Sequence, residues 1–165
     1  ELVRLIQGVL PKGVLNVVTG KGSKSGQWLL DHPDIDKLAF TGSTEVGRGV
    51  YQAACDKLIP VTLELGGKSA NIVFDDADLK QAVDGACKGI LFNQGQVCCA
   101  GSRLFVQEGI FDEFIKHLKA TFEGVKVGDP TDPTTQLGAQ IYKAQQDKVL
   151  SYIKIGLEEL SLIHI

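Results

Sequence analysis

Residues 36–65 read DKLAFTGSTEVGRGVYQAACDKLIPVTLEL, and this stretch decides the fold. Residues 36–40, which end in Leu-Ala-Phe, predict a strand that stops at a Thr-Gly-Ser turn. A helix over 44–57 follows, with a Ser/Thr entry and Glu45 in its first turn. Residues 60–65 predict the next strand, and a Gly-Gly pair breaks it. Strand, helix and strand at this spacing predict a parallel, helix-covered sheet, which is an α/β fold.

The same alternation extends to both sides of this stretch. Upstream, the sequence predicts a helix over 1–10, a buried strand over 14–18, a glycine-punctuated loop over 19–26 and a short helix over 27–31. After residue 66 the pattern restarts with two strands and three helices, at 70–74 and 103–107, and at 79–92, 111–122 and from 142 onward. The sequence contains no internal repeat.

Composition restricts the class of protein. The chain has 165 residues, of which 44% are hydrophobic and 22% charged, values typical of a folded globular protein rather than a disordered one. The net charge of −3 is spread along the chain, so we expect no nucleic-acid or membrane partner. The apolar runs are too short for a membrane span, and residues 1–20 lack a cleavable signal pattern.

Four cysteines, Cys55, Cys87, Cys98 and Cys99, could in principle pair or bind a metal. Adjacent cysteines rarely bond to each other, and the spacing is not that of a small disulfide-rich domain. No C-x-x-C occurs and the histidines are distant, so we expect no metal site. Reduced thiols predict a cytoplasmic protein. Cys55 and Cys87, on predicted helices among apolar neighbours, are interpreted as buried and inert.

Two glycine-containing segments follow predicted strands and open predicted helices, at 20–26 and 42–47. In this context backbone N–H groups can bind a phosphate. The segment at 20–26 is not a G-x-G-x-x-G motif, and by itself it is equally consistent with a plain turn. Two such segments at adjacent strand ends favour a dinucleotide crevice.

Glu64 and the Cys98–Cys99 pair are the candidate chemical groups. Glu64 ends an apolar strand, where α/β proteins bind ligands, although an exposed strand-end glutamate is the simpler interpretation. The thiols precede Ala100-Gly101-Ser102, small residues that allow a ligand to approach the backbone. A buried, inert cysteine is the commonest alternative for this residue type.

Together these segments resemble the aldehyde dehydrogenase superfamily. FTGSTEVG at 40–47 is similar to its coenzyme loop, LELGGKS at 63–69 to its glutamate signature, and FNQGQVCCAGSR at 92–103 to its cysteine signature. The resemblance covers about residues 1–159. It implies an α/β fold in which 1–66 form the C-terminal half of an open parallel Rossmann-like coenzyme domain. Residues 67–159 would then be the start of an α/β catalytic domain.

The resemblance also implies roles for individual residues. Cys98, the first cysteine of the pair, matches the nucleophile, and Glu64 matches the general base. The positions that match coenzyme contacts are Gly42, Ser43 and Gly47 at the pyrophosphate, Gly22, Ser23 and Gly26 at the adenosine side, and Leu65 and Gly66 near the nicotinamide. The implied cofactor is NAD or NADP.

The implied reaction is oxidation of a small-molecule aldehyde to a carboxylic acid. Cys98 adds to the carbonyl, hydride leaves to the nicotinamide, and Glu64 activates the water that hydrolyses the resulting thioester. The alternatives are a coenzyme-independent thioester or ester hydrolase using the same Cys98 and Glu64, and a non-catalytic interaction module. The two glycine segments count against the hydrolase, since hydrolysis needs no dinucleotide crevice.

Several family features lie outside the matched region, among them the oxyanion-hole asparagine and the lysine and glutamate that hold the adenosine ribose. We therefore expect the 165 residues alone to be inactive, and the full-length parent to be a homodimer or homotetramer.

Two stretches of the sequence depart from the family pattern. Gly138-Ala139 stands where the family usually has Gly-Pro. The apolar tail 160–165 has the sequence that the DNA string CTGTCTCTTATACACATC, a common sequencing-library adapter end, would encode, and is expected to be a read-through segment.

Overall fold

The computed structural model describes residues 1–159. The chain divides into two compact units, the first from Glu1 to Gly66 and the second from Gly67 onward. The first unit contains α1 (Leu2–Ile6), a π-helical turn (Gly22–Gly26), α2 (Gln27–Asp31), β1 (Leu38–Thr41), α3 (Thr44–Lys57) and β2 (Val61–Glu64). The second contains β3 (Ala70–Val73), α4 (Leu79–Leu91), a 3₁₀ turn (Phe92–Gly95), β4 (Arg103–Val106), a 3₁₀ turn (Glu108–Ile110), α5 (Phe111–Glu123) and α6 (Lys143–Glu158).

The first unit is built around a β1–α3–β2 motif. The two strands pair in parallel, from Leu38 opposite Val61 to Thr41 opposite Glu64. The helix buries Gly47, Val50 and Ala54, which lie three and four residues apart and so form one face. That face packs against the strands around Leu38 and forms the core of the unit. The predicted parallel α/β arrangement is confirmed.

The second unit repeats this plan with β3, α4 and β4. Its strands also pair in parallel, from Ala70 opposite Arg103 to Val73 opposite Val106. Helices α4 and α5 cover one face of the pair and share a core of six buried residues, Val73, Val83, Ala86, Cys87, Phe114 and Leu118. Phe114 is 0% exposed, so truncating it to alanine is expected to cost about 3–5 kcal/mol of stability.

No helix or strand within residues 67–159 covers the opposite face of the β3–β4 pair. Ile72 and Phe105 point to this side and are 59% and 52% exposed, and Phe74 just beyond β3 is exposed as well. Side chains alternate between the faces of a strand, so these residues lie opposite the buried Val73. Parallel sheets are usually covered on both faces, and within residues 67–159 helices cover only one face of this pair.

Three predictions in the first unit are wrong in detail. Residues 14–18 form no strand, because a strand requires a pairing partner and none of the strands within residues 1–159 pairs with them. Helix α1 ends at Ile6 rather than near Leu10, and a turn follows in which the Val9 N–H donates to the Ile6 carbonyl. Residues 22–26 are a π-helical turn that continues into α2, not a loop.

The four cysteines are all free thiols. Cys87 is buried in the second core, as predicted, and burial raises its pKa, with the nearby Asp84 carboxylate adding to the effect. Cys55 is exposed on α3, so the prediction that it is buried is wrong. It lies next to the buried Ala54, one position outside the apolar face of α3, and helical periodicity therefore turns it away from the core.

No helix within residues 1–159 is both long enough and apolar enough to cross a membrane. In the same range, no three His, Cys, Asp or Glu side chains are grouped so that they could hold a metal ion. The tail at 160–165, for which the sequence predicts a read-through origin, lies outside the described residues.

Candidate active site

Cys98 and Cys99 occupy the two central positions of a tight turn. The Ala100 N–H donates to the Val97 carbonyl at 3.2 Å and closes the turn. Both thiols are exposed, whereas Ala100 directly after them is buried. The turn therefore exposes both cysteines to solvent, while the buried Ala100 and its hydrogen bond to Val97 hold the backbone beneath them. The structure contradicts the alternative of a buried, inert Cys98.

The chain after the two cysteines is fixed to the second unit. The Gly101 N–H donates to the Gly89 carbonyl of α4 at 2.9 Å. A Cβ atom on Gly67 would lie 3.1 Å from the Cys98 carbonyl oxygen, so this glycine lets the chain pass close to the turn. The Cys98 N–H has no hydrogen-bond partner within the described part of the second unit. It remains available as a donor to a ligand atom near the sulfur.

The chain before the two cysteines has an uncommon backbone conformation. Asn93, Gln94 and Gly95 have φ values of +50°, +56° and +72°, three consecutive residues in the left-handed region. Asn93 is tied locally to Gln96, whose N–H donates to the Asn93 carbonyl at 3.0 Å and whose carbonyl accepts from Asn93 Nδ2 at 3.2 Å. We call residues 92–101 the cysteine turn.

Glu64 is the last residue of β2, and its side chain is exposed. Its backbone carbonyl accepts a hydrogen bond from the Gly42 N–H at 3.0 Å. Thr41 pairs with Glu64 across the two strands, so the carboxyl ends of β1 and β2 meet at one edge. The candidate base and the Gly42-Ser43 corner are therefore neighbours, as expected for a ligand site at the carboxyl ends of parallel strands.

We call residues 41–47 the glycine turn; it leads from β1 into α3. Ser43 caps the helix, with its side-chain oxygen accepting from the Val46 N–H at 3.2 Å. The positive end of the helix dipole faces the same edge as Glu64. A Cβ atom on Gly47 would lie 2.5 Å from Leu65 Cδ2, so glycine lets Leu65 pack against the helix. Gly47 thus shapes the packing beside the site.

The other predicted coenzyme positions are less closely packed by neighbouring atoms. Gly22, Ser23 and Gly26 lie on the π-helical turn before α2. Added Cβ atoms on Gly22, Gly26 and Gly66 would meet nothing within 4 Å, so packing does not require glycine there. Gly20 is different: its φ is +158°, and a Cβ atom would lie 2.9 Å from Ser25 Oγ.

The candidate residues fall into two groups. Glu64, Leu65, Gly66 and the glycine segments belong to the first unit, whereas Cys98 belongs to the second. Within the first unit, the structure brings Glu64 to Gly42, and Leu65 to Gly47. The Glu64 carboxylate forms no ion pair or side-chain hydrogen bond with another residue of the first unit.

Sequence reasoning missed two contacts of the cysteine turn. One is Gly67, which lies against the Cys98 carbonyl. The other is Gln94: with its amide oxygen facing Gly138, it accepts from the Gly138 N–H at 3.1 Å, and its nitrogen donates to the Asn93 carbonyl at 3.1 Å. The Asn-Gln-Gly run was the available signal, because asparagine and glycine are the residues that favour positive φ.

Comparison with known proteins decides the family. The profile of the "Aldehyde dehydrogenase family" matches residues 1–163 of the chain. The chain belongs to the aldehyde dehydrogenase family. The resemblance drawn from the coenzyme, glutamate and cysteine motifs is thereby confirmed, and so is the α/β fold class.

Relatives of known sequence and structure agree with this family. An aldehyde dehydrogenase of Agaricus bisporus is 49% identical over 156 residues, which are 94% of this chain and 31% of that protein. PnpE from Pseudomonas sp. WBC-3 is 47% identical with a TM-score of 0.91, over 95% of this chain and 32% of that one. PnpE has also been solved in complex with nicotinamide adenine dinucleotide.

A third relative, the aldehyde dehydrogenase from Bacillus cereus in its NAD⁺ complex, is 43% identical with a TM-score of 0.88. The match covers 91% of this chain and 30% of that one. The chain therefore spans about a third of the length of the family members that it matches.

Proposed function

We propose that the polypeptide containing this chain oxidises an aldehyde to a carboxylic acid with NAD⁺ or NADP⁺. Cys98 is the nucleophile and Glu64 is the general base in this proposal. The observation that carries it is the cysteine turn: within an aldehyde dehydrogenase family chain, Cys98 is exposed on a backbone that is fixed on both sides. Small residues next to the sulfur leave room for a substrate carbonyl.

Cys98 acts as a thiolate that adds to the aldehyde carbon, which forms a C–S bond and places negative charge on the carbonyl oxygen. The unpartnered Cys98 N–H is one donor for that oxyanion. A bound nicotinamide supplies the acceptor for the hydride that the adduct then loses, so that carbon reaches the oxidation level of a thioester. Glu64 takes a proton from water, the water oxygen attacks the thioester, and the acid leaves as the thiolate returns.

The first unit has features that fit a dinucleotide. The glycine turn joins an exposed strand end to the N-terminus of the fourteen-residue helix α3, where backbone N–H groups and the helix dipole favour a phosphate. Gly42, Ser43 and Gly47 would hold the pyrophosphate, and Leu65 and Gly66 would lie near the nicotinamide. The segment with Gly22, Ser23 and Gly26 would meet the adenosine side. In this proposal residues 1–66 are part of a coenzyme domain and 67–159 the start of a catalytic domain.

The test uses the full-length polypeptide and measures aldehyde-dependent reduction of NAD⁺ and NADP⁺. Cys98→Ser should lower kcat/KM by roughly 10³-fold or more, because serine is a far weaker nucleophile at neutral pH. Cys99→Ser is the matched control, on the same turn one residue away, and should retain most of the activity. Loss of activity in Cys99→Ser with full activity in Cys98→Ser would overturn the assignment.

Glu64→Gln separates the two halves of the reaction. It should still release about one equivalent of reduced coenzyme rapidly and then turn over roughly 10²- to 10⁴-fold more slowly, because only hydrolysis of the thioester needs the base. Product formation that needs no coenzyme at all would indicate the hydrolase instead. The 165 residues purified alone should not reduce NAD⁺, and activity in that fragment would contradict the proposal.

A further inference from the structure

The cysteine turn contains strain that local sequence does not relieve. Three consecutive residues, Asn93 to Gly95, have positive φ. Glycine adopts this region freely and asparagine tolerates it, but glutamine at position 94 gains no such relief. A non-glycine residue in the left-handed region is strained and persists only where surrounding contacts hold it. Contacts must therefore fix Gln94.

The side chain of Gln94 makes these contacts. Its amide nitrogen donates to the carbonyl of the neighbouring Asn93, and its oxygen accepts from the Gly138 N–H, both at 3.1 Å. The second bond crosses 44 positions of sequence. A Cβ atom on Gly138 would lie 3.3 Å from the end of the Gln94 side chain, so glycine at 138 allows the close approach.

Gly138 lies in a segment that is itself tightly bonded, residues 126–140, which we call the anchor segment. The Gly128 N–H donates to the Leu137 carbonyl at 3.1 Å, and the Lys126 N–H to Gln136 Oε1 at 2.9 Å. Lys126 Nζ pairs with Asp132 at 2.9 Å across the same segment. Because these bonds close the segment on itself, Gly138 belongs to a locally ordered backbone, and Gln94 bonds to that backbone.

We propose that Gln94 is a positioning residue that ties the anchor segment to the turn presenting Cys98. Its amide holds the left-handed backbone at 93–95, and this backbone sets where the Val97–Ala100 turn lies. The catalytic consequence rests on the proposed function of Cys98, whereas the structural link does not. An experiment can therefore contradict the catalytic consequence without contradicting the structural link, and the reverse.

The link is tested by amide hydrogen exchange on the full-length polypeptide with two substitutions. Gln94→Met keeps the length of the side chain and removes both hydrogen bonds. Gln94→Glu keeps an acceptor for Gly138 and loses the donor to Asn93. Gln146→Met, on the exposed face of α6, is the matched control for the same chemical change.

Gln94→Met should speed exchange at Gly138 by about 3- to 10-fold, the effect of losing the acceptor of that N–H. Exchange at Gln96 should speed as well, because the backbone that places its acceptor, the Asn93 carbonyl, is no longer held. Gln94→Glu should restore protection at Gly138 but not at Gln96. Gln146→Met should leave both amides unchanged. Unchanged exchange at Gly138 in Gln94→Met, or no difference between the two Gln94 variants there, would overturn the link.

The catalytic consequence is tested on the same variants. Gln94→Met should lower kcat more than tenfold with little change in the KM for aldehyde, since a displaced nucleophile slows addition without removing substrate contacts. A changed exchange pattern with an unchanged kcat would overturn the positioning role and leave the link. Full activity in Cys98→Ser would instead overturn the proposed function.

Discussion

The glycine turn and the cysteine turn both lead to a candidate catalytic group, but they are held in different ways. In the glycine turn, Ser43 caps the helix through a neighbour three residues away, and Gly42 bonds to the adjacent strand. In the cysteine turn, three left-handed residues are held by Gln94 through a bond to Gly138. The glycine turn is thus held by a helix cap and by the backbone of the strand paired with β1, whereas the left-handed residues of the cysteine turn depend on a side-chain contact across 44 positions of sequence.

This difference suggests why the turns suit their proposed roles. A turn held by a helix cap and by the backbone of a paired strand has N–H groups in fixed positions, which suits the binding of a phosphate. A turn held by a distant segment has its geometry set by the surrounding unit. Strained backbone of this kind is found mainly where a reactive group must be placed with accuracy.

Among substitutions in the two turns, the largest loss of stability is expected for Gly95→Ala in the cysteine turn. Alanine at φ +72° costs about 1–2 kcal/mol, and its Cβ would also lie 3.1 Å from the Ile90 carbonyl oxygen. The free energy of unfolding, measured by urea denaturation of the full-length polypeptide, should fall by at least that amount.

Gly85→Ala on α4 is the matched control for this change. Nothing lies within 4 Å of a Cβ atom there, so alanine should raise stability by about 0.5–1 kcal/mol through helix propensity. If both substitutions changed stability equally, the cysteine turn would be no more constrained than an ordinary helix position.

An intermediate effect is expected for Ser43→Ala in the glycine turn. Loss of the cap should lower the free energy of unfolding by about 1 kcal/mol, measured by thermal or urea unfolding. Ser43→Asp keeps a capping oxygen and should retain stability, yet should weaken coenzyme binding because the carboxylate repels the pyrophosphate. Equal coenzyme affinity in both variants would contradict a pyrophosphate site at this turn.

The smallest effect is the pH dependence of the anchor segment. The pKa of Asp129 is lowered by hydrogen bonds from the Thr131 side chain and backbone. The pKa of Asp132 is lowered by the Thr134 backbone, Lys126 and the Thr134 side chain. A lowered folded pKa contributes stability that is complete above the ordinary aspartate value of about 3.9 and is lost as pH falls through the folded value.

The wild-type protein should therefore lose stability more steeply below about pH 4 than a variant with Asp129→Asn and Asp132→Asn. Urea unfolding at a series of pH values measures the two slopes. Parallel slopes would show that these carboxylates do not stabilise the anchor segment.

Much of the fold could be predicted because it depends on local patterns. Helices α2 and α3 lie where the sequence predicted them, and β1, β2, β3 and β4 are each within about two residues of their expected bounds. Helix α3 was predictable because its cap, its apolar face and its preceding strand all indicate the same structure. The parallel pairing followed from the helical connection between the strands.

The errors concern features that depend on distant partners. The run at 14–18 has the composition of a strand, but Val18 is 68% exposed, since apolar composition alone does not make a strand. Cys98 and Glu64 could be singled out from motifs, yet the contacts that fix the cysteine turn involve Gly67 and Gly138. Nothing in the neighbouring sequence indicates that these two glycines meet it.

The uncovered face of the β3–β4 pair has a practical consequence for work on this chain. Ile72, Phe74 and Phe105 form an apolar surface beside the edges of a two-stranded sheet. Surfaces of this type promote self-association when they meet water. Recombinant production should therefore retain the flanking polypeptide, because each molecule of the isolated chain would expose Ile72, Phe74 and Phe105 and could aggregate through them.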